Sequence, residues 1–208
     1  MKIGVLALQG AFVEHIAVLR RLGVEAVPVR LPEMLDGLDG LVIPGGESTA
    51  IGKLMVSYGL LEPIRGVIDA GLPVYGTCAG MILLARAIGT DAQPILGQMD
   101  ISVERNAFGR QLQSFESDLA IPVLGSAPFH AVFIRAPAIL SVGPRAHELA
   151  RLGDGTIVAA EQESLLATAF HPELSDDTRL HAHFIAMCER ARTSAASDVE
   201  RHNRAPRL

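Results

Sequence analysis

Short apolar runs alternate with helical patterns over roughly the first ninety residues of the chain. Nearly every residue in these runs is apolar, which is typical of strands that are covered on both faces of a sheet. Between the runs, apolar residues recur every three or four positions, and two of these patterns stop at a glycine, Gly23 or Gly71, the usual residue just past a helix end. The alternation predicts a parallel sheet with helices on both faces. We predict strands at 2–8, 25–29 and 40–43 and a fourth from 73, with helices at 12–22, 50–58 and 62–70.

After Leu96 the apolar runs become shorter and partly alternating, which favours antiparallel strands that pack on the sheet or extend it. One further strand, 165–170, is more continuously apolar and ends at the tripeptide His171-Pro172-Glu173. The predicted fold class is therefore α/β, with a three-layer, open and mostly parallel sheet, helices on both faces and short antiparallel strands. The short strands are predicted at 101–103, 111–115, 131–134 and 157–160.

The chain is predicted to close with a helix from about Thr178 to Arg192, for which Asp176 or Asp177 is the candidate cap. The segment 193–208 has few apolar residues, so we expect it to be a mobile C-terminal tail. Since no repeat and no clear linker interrupts the pattern, residues 1–192 are expected to form a single domain.

Composition excludes several classes of protein. The 208 residues are 49% hydrophobic and 20% charged, as in globular proteins, and no apolar run approaches the roughly 18 residues that a membrane span needs. The apolar start of the chain is interrupted by Gln9-Gly10 and lacks a small-residue cleavage site, so a strand is favoured over a signal peptide. A net charge of −5 without a basic stripe disfavours nucleic acid as a partner. Because the two cysteines suggest no disulfide framework, we expect a reducing compartment, the cytoplasm.

The sequence PVYGTCAGMILL, residues 73–84, is typical of a nucleophile elbow with cysteine in the usual serine position. A strand leads through Gly76 and Cys78 into Gly80 and then a helical pattern, and glycines at both places permit the sharp turn. A lone cysteine is more often a small buried hydrophobe, and Cys188 fits that description. It lies at helical spacing with Leu180, Phe184 and Ala191, which predicts a core position.

His171 is the candidate base for Cys78, because imidazole titrates near neutrality and the residue follows a predicted strand. Glu173 stands two residues further on and could hold the ring in the tautomer that accepts the thiol proton. A solvated or packed side chain is the alternative for any single histidine. The other six histidines lack a carboxylate two residues away at a strand end, so we expect no catalytic role for His15, His130, His147, His181, His183 and His202.

Gly45-Gly46 follows another predicted strand and offers backbone without side chains beside the elbow. It could bind an oxyanion together with the N–H of Ala79, or it could simply form a tight turn, and both can hold. The overlapping sequence GESTAIGKL, residues 46–54, resembles a phosphate loop but has the wrong spacing, so we predict no nucleotide site. Metal binding is not expected either, because His181 and His183 lie on different helix faces and no cysteine pair has zinc spacing.

These motifs resemble the class I, or triad, glutamine amidotransferases, which have a flavodoxin-like sheet. Within that class they resemble the glutaminase-subunit family of pyridoxal 5′-phosphate synthases, in six blocks that occur in order and span roughly residues 1–190. The blocks are LQGAF (8–12), PGGEST (44–49), GTCAG (76–80), RNAFGRQ (105–111), FIRAP (133–137) and FHPE (170–173).

The resemblance implies hydrolysis of L-glutamine to glutamate and ammonia, with no cofactor and no metal. It implies that Cys78 attacks the amide, that His171 oriented by Glu173 shuttles protons, and that Ala79 and Gly45 or Gly46 stabilise the oxyanion. It further implies that Gln9 completes the oxyanion hole when a partner docks, and that the partner is a synthase subunit with a dodecameric core that uses the ammonia. The glutamine pocket it implies consists of Gly46, Glu47, Ser48, Arg105, Ile134 and Arg135.

Several alternatives remain open at this point. Taken without the family, Arg105 and Arg135 are better explained as surface ion pairs. The chain could serve a different amidotransferase synthase with the same triad, or it could be a non-catalytic regulatory subunit on the same scaffold. A cysteine peptidase or thiol stress protein with a similar elbow is the remaining alternative, and it would bind no free glutamine.

Overall fold

A computed structural model describes residues 1–90, 92–109 and 114–204, and in the last helix the side chains as far as residue 194. The helices are Phe12–Arg21 (α1), Ser48–Ser57 (α2), Leu61–Asp69 (α3), Ala79–Leu84 (α4) and Arg179–Arg204 (α5). The strands are Lys2–Leu6 (β1), Glu25–Val29 (β2), Gly40–Ile43 (β3), Val74–Thr77 (β4), Ala85–Ile88 (β5), Met99–Glu104 (β6), Ser114–Leu119 (β7), Phe129–Ile134 (β8), Ala138–Val142 (β9), His147–Arg151 (β10), Ile157–Gln162 (β11) and Leu165–Thr168 (β12).

The central part of the main sheet is parallel. Five strands lie side by side in the order β2-β1-β3-β4-β12, and each pairs in parallel with its neighbour. The sheet continues through the antiparallel strands β11, β9 and β6, with β5 parallel to β6 at the far edge and β10 paired to β11. Strands β7 and β8 form a separate antiparallel pair. The predicted α/β class is confirmed, and the sheet is mixed beyond β12.

Helices cover both faces of the parallel strands, because neighbouring residues along each strand point to opposite sides. On one face Ile3 and Val5 of β1 pack in a core with Leu19 of α1 and Phe184 of α5. On the other face Leu6 belongs to a larger core that includes residues of α2, α3 and α4. The near-continuous apolar character of the strands therefore reflects burial on two sides.

Most predicted elements occur with small shifts at their ends. The predicted helical pattern after Cys78 is confirmed as α4, which ends at Leu84. Three strands, β5, β9 and β10, were not predicted, and β5 begins directly after α4. The predicted strand 165–170 ends at Thr168. Of the predicted strand 111–115, residues 111–113 lie outside the described residues, and β7 begins at Ser114.

The last helix is longer than the sequence predicted. Asp177 stands at its start as expected, since its Oδ1 accepts a hydrogen bond of 3.0 Å from the N–H of Arg179. The predicted end near Arg192 is wrong, because α5 continues to Arg204. Alanines at 191, 195 and 196 favour helix, and the sequence from 179 to 205 contains no glycine or proline. Among the described residues, no helix has the length and apolar character to cross a membrane.

Candidate active site

Cys78 lies at the turn between β4 and α4 with a left-handed backbone, φ 48° and ψ −102°. This conformation is costly for a residue with a side chain and is typical of functional positions. The flanking glycines make the turn possible: a Cβ on Gly80 would lie 2.0 Å from the carbonyl oxygen of Ile43, and one on Gly76 would lie 2.6 Å from the backbone of Gly80. The predicted elbow is therefore present, and the glycines are required by close backbone contact.

Sheet register brings His171 beside Cys78. Strands β4 and β12 are parallel neighbours in which Thr77 is paired with Thr168, and the N–H of Cys78 donates to the carbonyl of Thr168 at 2.7 Å. The carboxyl ends of both strands therefore meet at one edge, where ligands bind in open α/β sheets. Just past β12, the N–H of His171 donates to the carbonyl of Val132 in β8 at 2.9 Å, which fixes the turn against the small antiparallel pair.

Glu173 holds the ring of His171 from behind. Its Oε1 accepts a hydrogen bond of 2.7 Å from His171 Nδ1, and the two residues are 6% and 8% exposed. Burial works against the charged carboxylate, but the neighbouring rings of His15 and His171 lower the pKa of Glu173 below its ordinary value. An ionised carboxylate on Nδ1 fixes the tautomer of His171 and leaves Nε2 for Cys78.

The ring of His171 is stabilised in its charged form. Burial opposes the charge, but hydrogen bonds to Cys78 and Glu173 and the attraction of their negative charges raise the pKa of His171 to about 10. The imidazolium therefore persists at neutral pH beside the Cys78 sulfur. Such a pair supplies a nucleophile and a proton donor at adjacent atoms.

Two backbone loops meet beside the cysteine. The carbonyl of Gly45 accepts a hydrogen bond of 3.0 Å from the N–H of Ala11, and Gln9 Oε1 accepts one of 2.8 Å from the N–H of Glu47. Gly45 is also close to the catalytic candidates, since a Cβ there would lie 2.3 Å from His171 Cε1 and 3.3 Å from Cys78 Cβ. The loop after β1 thus supports the glycine pair that follows β3, and both border the elbow.

A cavity of about 290 Å³ is lined by Cys78 and His171. All six residues predicted for the glutamine pocket line it, together with Gln9, Cys78 and His171, whereas Gly45, Ala79 and Glu173 are not among its lining residues. Sequence reasoning missed two lining residues, Ile82 and Asn106. The predicted residues that line it are Gln9, Gly46, Glu47, Ser48, Cys78, Arg105, Ile134, Arg135 and His171.

Charged groups at the cavity wall are fixed by hydrogen bonds. Glu47 caps α2 by accepting from the N–H groups of Thr49 and Ala50 at 3.1 and 2.6 Å, and its Oε1 lies 3.1 Å from Arg105 Nη2. Burial is the largest single influence and opposes the charge of Glu47, but these backbone hydrogen bonds and Arg105 together lower its pKa. Arg105 Nη1 also donates to Gln93 Oε1 at 3.3 Å. Arg105 thus forms an ion pair, as its residue type alone suggested, and that pair faces the cavity.

Backbone strain is concentrated around this cavity. Asn106 and Arg135 have φ values of 50° and 44°, and Cys78 is the third lining residue with a left-handed conformation. Non-glycine residues rarely adopt this region, and such strain is maintained where the site requires a particular geometry.

Two histidines that the sequence analysis set aside lie directly behind the triad. His15 and His181 are both fully buried, and His15 Nε2 lies 3.3 Å from Glu173 Oε2. The sequence contained an indication that both residues are buried. His15 is four positions before Leu19, a buried residue of α1, and His181 directly follows Leu180, a buried residue of α5. Among the described residues, no group of three or more His, Cys, Asp or Glu could hold a metal ion.

A doubly covered parallel sheet, a cysteine elbow and a His-Glu pair just after the adjacent strand define a glutamine amidotransferase of the class I type. The model of the SNO glutamine amidotransferase family matches residues 5–190. The chain belongs to this family.

Similar proteins agree with this assignment. The pyridoxal 5′-phosphate synthase subunit PdxT of Pelotomaculum thermopropionicum is 61% identical over 191 residues, which cover 92% of this chain and 97% of that protein. The PdxT subunit of Herpetosiphon aurantiacus is 60% identical over 190 residues, 90% of this chain and 100% of that protein. A crystal structure of a glutamine amidotransferase, 50% identical, superposes with a TM-score of 0.85 over 90% of this chain and 98% of that one. The resemblance of the motifs to this family is thereby confirmed.

Proposed function

We propose that Cys78, His171 and Glu173 hydrolyse the side-chain amide of L-glutamine, and that this activity serves pyridoxal 5′-phosphate synthesis. One observation supports the assignment most strongly. Cys78, with its left-handed backbone conformation, and His171 line the same cavity, and Glu173 holds the ring of His171 from behind. The chain is the glutaminase subunit of a pyridoxal 5′-phosphate synthase, and it supplies ammonia for vitamin B6 synthesis.

The proposed reaction has two halves. The sulfur of Cys78 adds to the amide carbon and forms a tetrahedral oxyanion, which the N–H groups of Ala79 and of Gly45 or Gly46 stabilise. The imidazolium of His171 then gives its proton to the leaving nitrogen, ammonia departs, and a thioester remains. In the second half the neutral ring takes a proton from water, the hydroxide attacks the thioester, and glutamate leaves with the Cys78 thiolate and the His171 imidazolium restored.

Recognition of glutamine requires partners for an α-carboxylate and an α-ammonium. Arg105 and Arg135 are the arginines at the cavity, and Glu47 is a carboxylate there, so these groups have the required charges. Gly46 and Ser48 offer backbone and a hydroxyl at the same wall, and Ile134 packs an apolar side chain against it. The cavity volume of about 290 Å³ is of the order that a small amino acid needs.

Ammonia that escapes into water is protonated and is then no longer a nucleophile, so the product must pass directly to a second active site. We propose that a synthase subunit with a dodecameric core receives it and that the complex works in the cytoplasm. In this proposal Gln9 completes the oxyanion hole on docking. Its side chain already bonds to the N–H of Glu47, next to the glycine pair, so a small movement of that loop would alter the site.

The test is glutamate release from L-glutamine by the purified protein, with and without its synthase subunit. Turnover that the synthase subunit stimulates, and that Cys78→Ala abolishes, is expected. Cys188→Ala is the matched control, because Cys188 is buried in the core and far from the cavity lining.

The same experiment separates the other functions. Absence of turnover in a complex shown to form would overturn the proposal in favour of a regulatory subunit. Turnover without any binding to the pyridoxal 5′-phosphate synthase subunit would assign the chain to a different amidotransferase. Full partner-stimulated activity in Gln9→Ala would refute the role given to Gln9 and leave the triad intact.

A further inference from the structure

Behind the triad, a continuous line of buried polar side chains runs from Glu173, in the turn after β12, through His15 of α1 to His181 of α5. His15 Nδ1 lies 3.0 Å from His181 Nε2, and His15 Nε2 lies 3.1 Å from Thr77 Oγ1 and 3.3 Å from Glu173 Oε2. Both histidines have no solvent-exposed surface. Together with His171 and Cys78, these groups extend the proposed triad inward by two rings.

The protonation states of the two rings follow from their surroundings. Burial is the largest cause that lowers the pKa of His15, and the nearby positive ring of His171 lowers it further, against the pull of Glu173 and Glu14. Burial and His15 lower the pKa of His181 to about 3, with Arg21 in the same direction and Glu173 opposed. Each ring is therefore neutral at pH 7 and has a single N–H.

Only one arrangement of those two protons satisfies the contacts. Glu173 is ionised and can only accept, so the nitrogen that faces it, His15 Nε2, must bear the hydrogen. His15 Nδ1 is then bare and accepts from His181 Nε2–H. That leaves His181 Nδ1 as a bare nitrogen, and it is a buried atom for which the described residues provide no hydrogen-bond partner. The reverse arrangement would point a lone pair at a carboxylate and bury an unpaired N–H, which is the costlier defect.

Glu173 Oε2 needs this support. The oxygen is buried, and within the described residues it has no partner that meets full hydrogen-bond geometry. The N–H of His15, shared between Thr77 Oγ1 and Glu173 Oε2, is the polar group that stands opposite it. Without that N–H, one oxygen of the buried carboxylate would face apolar protein. The carboxylate would then lower its free energy by rotating or by taking up a proton.

We propose that His15 is a positioning residue of the active site: its Nε2–H holds the second oxygen of Glu173, and His181 fixes the tautomer of His15 that makes this possible. Glu173 thus lies between two imidazoles, one on each oxygen, and its carboxylate plane is set by both. Because Glu173 in turn orients His171, the geometry of the proton shuttle depends on helices α1 and α5. This inference rests on the triad roles proposed above.

Removal of the His15 ring is expected to reduce catalysis with little effect on substrate binding. In His15→Leu, kcat/KM for glutamine should fall by about 10- to 100-fold, the loss seen when the hydrogen-bond partner of a metal-binding histidine is removed and taken here as the analogous case. KM should stay within about threefold, because His15 does not line the cavity. The acidic limb of the kcat/KM profile should move to higher pH, since Glu173 protonates more easily. His181→Leu should produce a smaller loss in the same direction. All rates are measured in the complex with the synthase subunit.

Two polar variants separate positioning from packing. The amide of glutamine reaches about as far as Nε2 of histidine and that of asparagine only as far as Nδ1, so His15→Gln should recover most of the activity and His15→Asn should not. The control is His183→Gln in α5, the helix that also carries His181. The ring of His183 bonds to Glu161 at 2.7 Å, and the substitution should leave both rate and pH profile unchanged. If the leucine variant does not fold, the Gln and Asn pair decides the question alone.

A further measurement does not depend on the turnover of glutamine. The pH dependence of alkylation of Cys78 by iodoacetamide reports the charge state of the site, and its acidic limb should move upward in His15→Leu and return in His15→Gln. The positioning role would be overturned if His15→Leu kept the wild-type rate and the wild-type acidic limb of the pH profile. It would also be overturned if His15→Gln and His15→Asn lost the same amount of activity while the acidic limb did not move. Activity that survives Cys78→Ala would instead overturn the proposed triad, so the two failures are distinguishable.

Discussion

The α-carbon of Gly45 lies directly against the ring of His171, so that a Cβ at this position would be 2.3 Å from Cε1 and 2.9 Å from Nδ1. The contact involves the same ring nitrogen that donates to Glu173. Space for the ring to move is limited, because the N–H of His171 is tied to Val132. Glycine at position 45 is therefore required by the position of the base.

Gly45→Ala should inactivate the protein without unfolding it. The added methyl group must displace the ring of His171, and an ångström-scale error in the position of a proton shuttle costs about 100-fold in rate. The measurement is kcat/KM for glutamine together with the midpoint of thermal unfolding. Gly66→Ala is the control, because Gly66 lies within α3 with nothing within 4 Å of its Cβ position, and it should stabilise the fold by about 0.4–1 kcal/mol. Full activity in Gly45→Ala would contradict the tight contact.

The charge on His171 should appear in the pH dependence of both rate and stability. Its pKa is about 10 in the folded protein against 6.5 for an ordinary histidine, so its stabilising contribution is fully present below pH 6.5 and is lost as pH rises through about 10. Turnover should decline over the same upper range, because the neutral ring cannot protonate the leaving ammonia.

Urea unfolding of the wild type and of His171→Gln at several pH values measures this contribution. The difference in the free energy of unfolding between the two proteins should be larger at pH 6 than at pH 10. A difference that is independent of pH would mean that the ring is uncharged in the folded state.

Arg105→Met should weaken glutamine binding while the fold is retained. Loss of a hydrogen bond between charged groups costs about 1.5–3 kcal/mol, so KM should rise by about tenfold or more, with a smaller change in kcat. Arg145→Met removes an arginine whose ion pair with Glu163, at 3.3 Å, is largely exposed, and it should leave KM unchanged. Equal KM values in the two variants would remove Arg105 from the substrate site.

The two cysteines should differ sharply in reactivity. Burial and the charge of Asp39 raise the pKa of Cys188 to about 12, and the residue has no exposed surface, whereas Cys78 lines the cavity. Iodoacetamide should therefore modify one thiol per folded chain at neutral pH, and the modification should disappear in Cys78→Ser. Mass spectrometry of the digested protein identifies the site. Modification of Cys188 without denaturant would contradict its core position.

The elbow could be predicted from sequence because the constraint is local. Glycines two residues before and after Cys78 are needed for contacts within the turn and with Ile43 of the adjacent strand, and the sequence shows them directly. The His-Pro-Glu tripeptide is local in the same way, since Glu173 reaches the ring two residues before it. Motifs of this kind located Cys78 and His171 at one cavity, with Glu173 behind the ring. The residues predicted for the glutamine pocket, which line the same cavity, were implied by the family resemblance.

What could not be predicted depends on distant parts of the chain. Strand β5 continues the apolar run of α4, and periodicity does not distinguish a short buried strand from a helix end. His15 and His181 are 166 positions apart and meet only because α1 and α5 cover the same face of the sheet. A search for a carboxylate two residues from each histidine could not detect a contact made across the fold.

Strand β12 occupies the place next to β4, although most of the second half of the chain separates them in sequence. The nucleophile is therefore synthesised long before the base that it needs, and it has no partner until the last strand inserts. A chain that ends before β12 contains the cysteine but lacks His171 and Glu173, so it could not turn over glutamine. Completion of the chain and onset of activity are thus coupled, and glutamine is spared while the protein is being made.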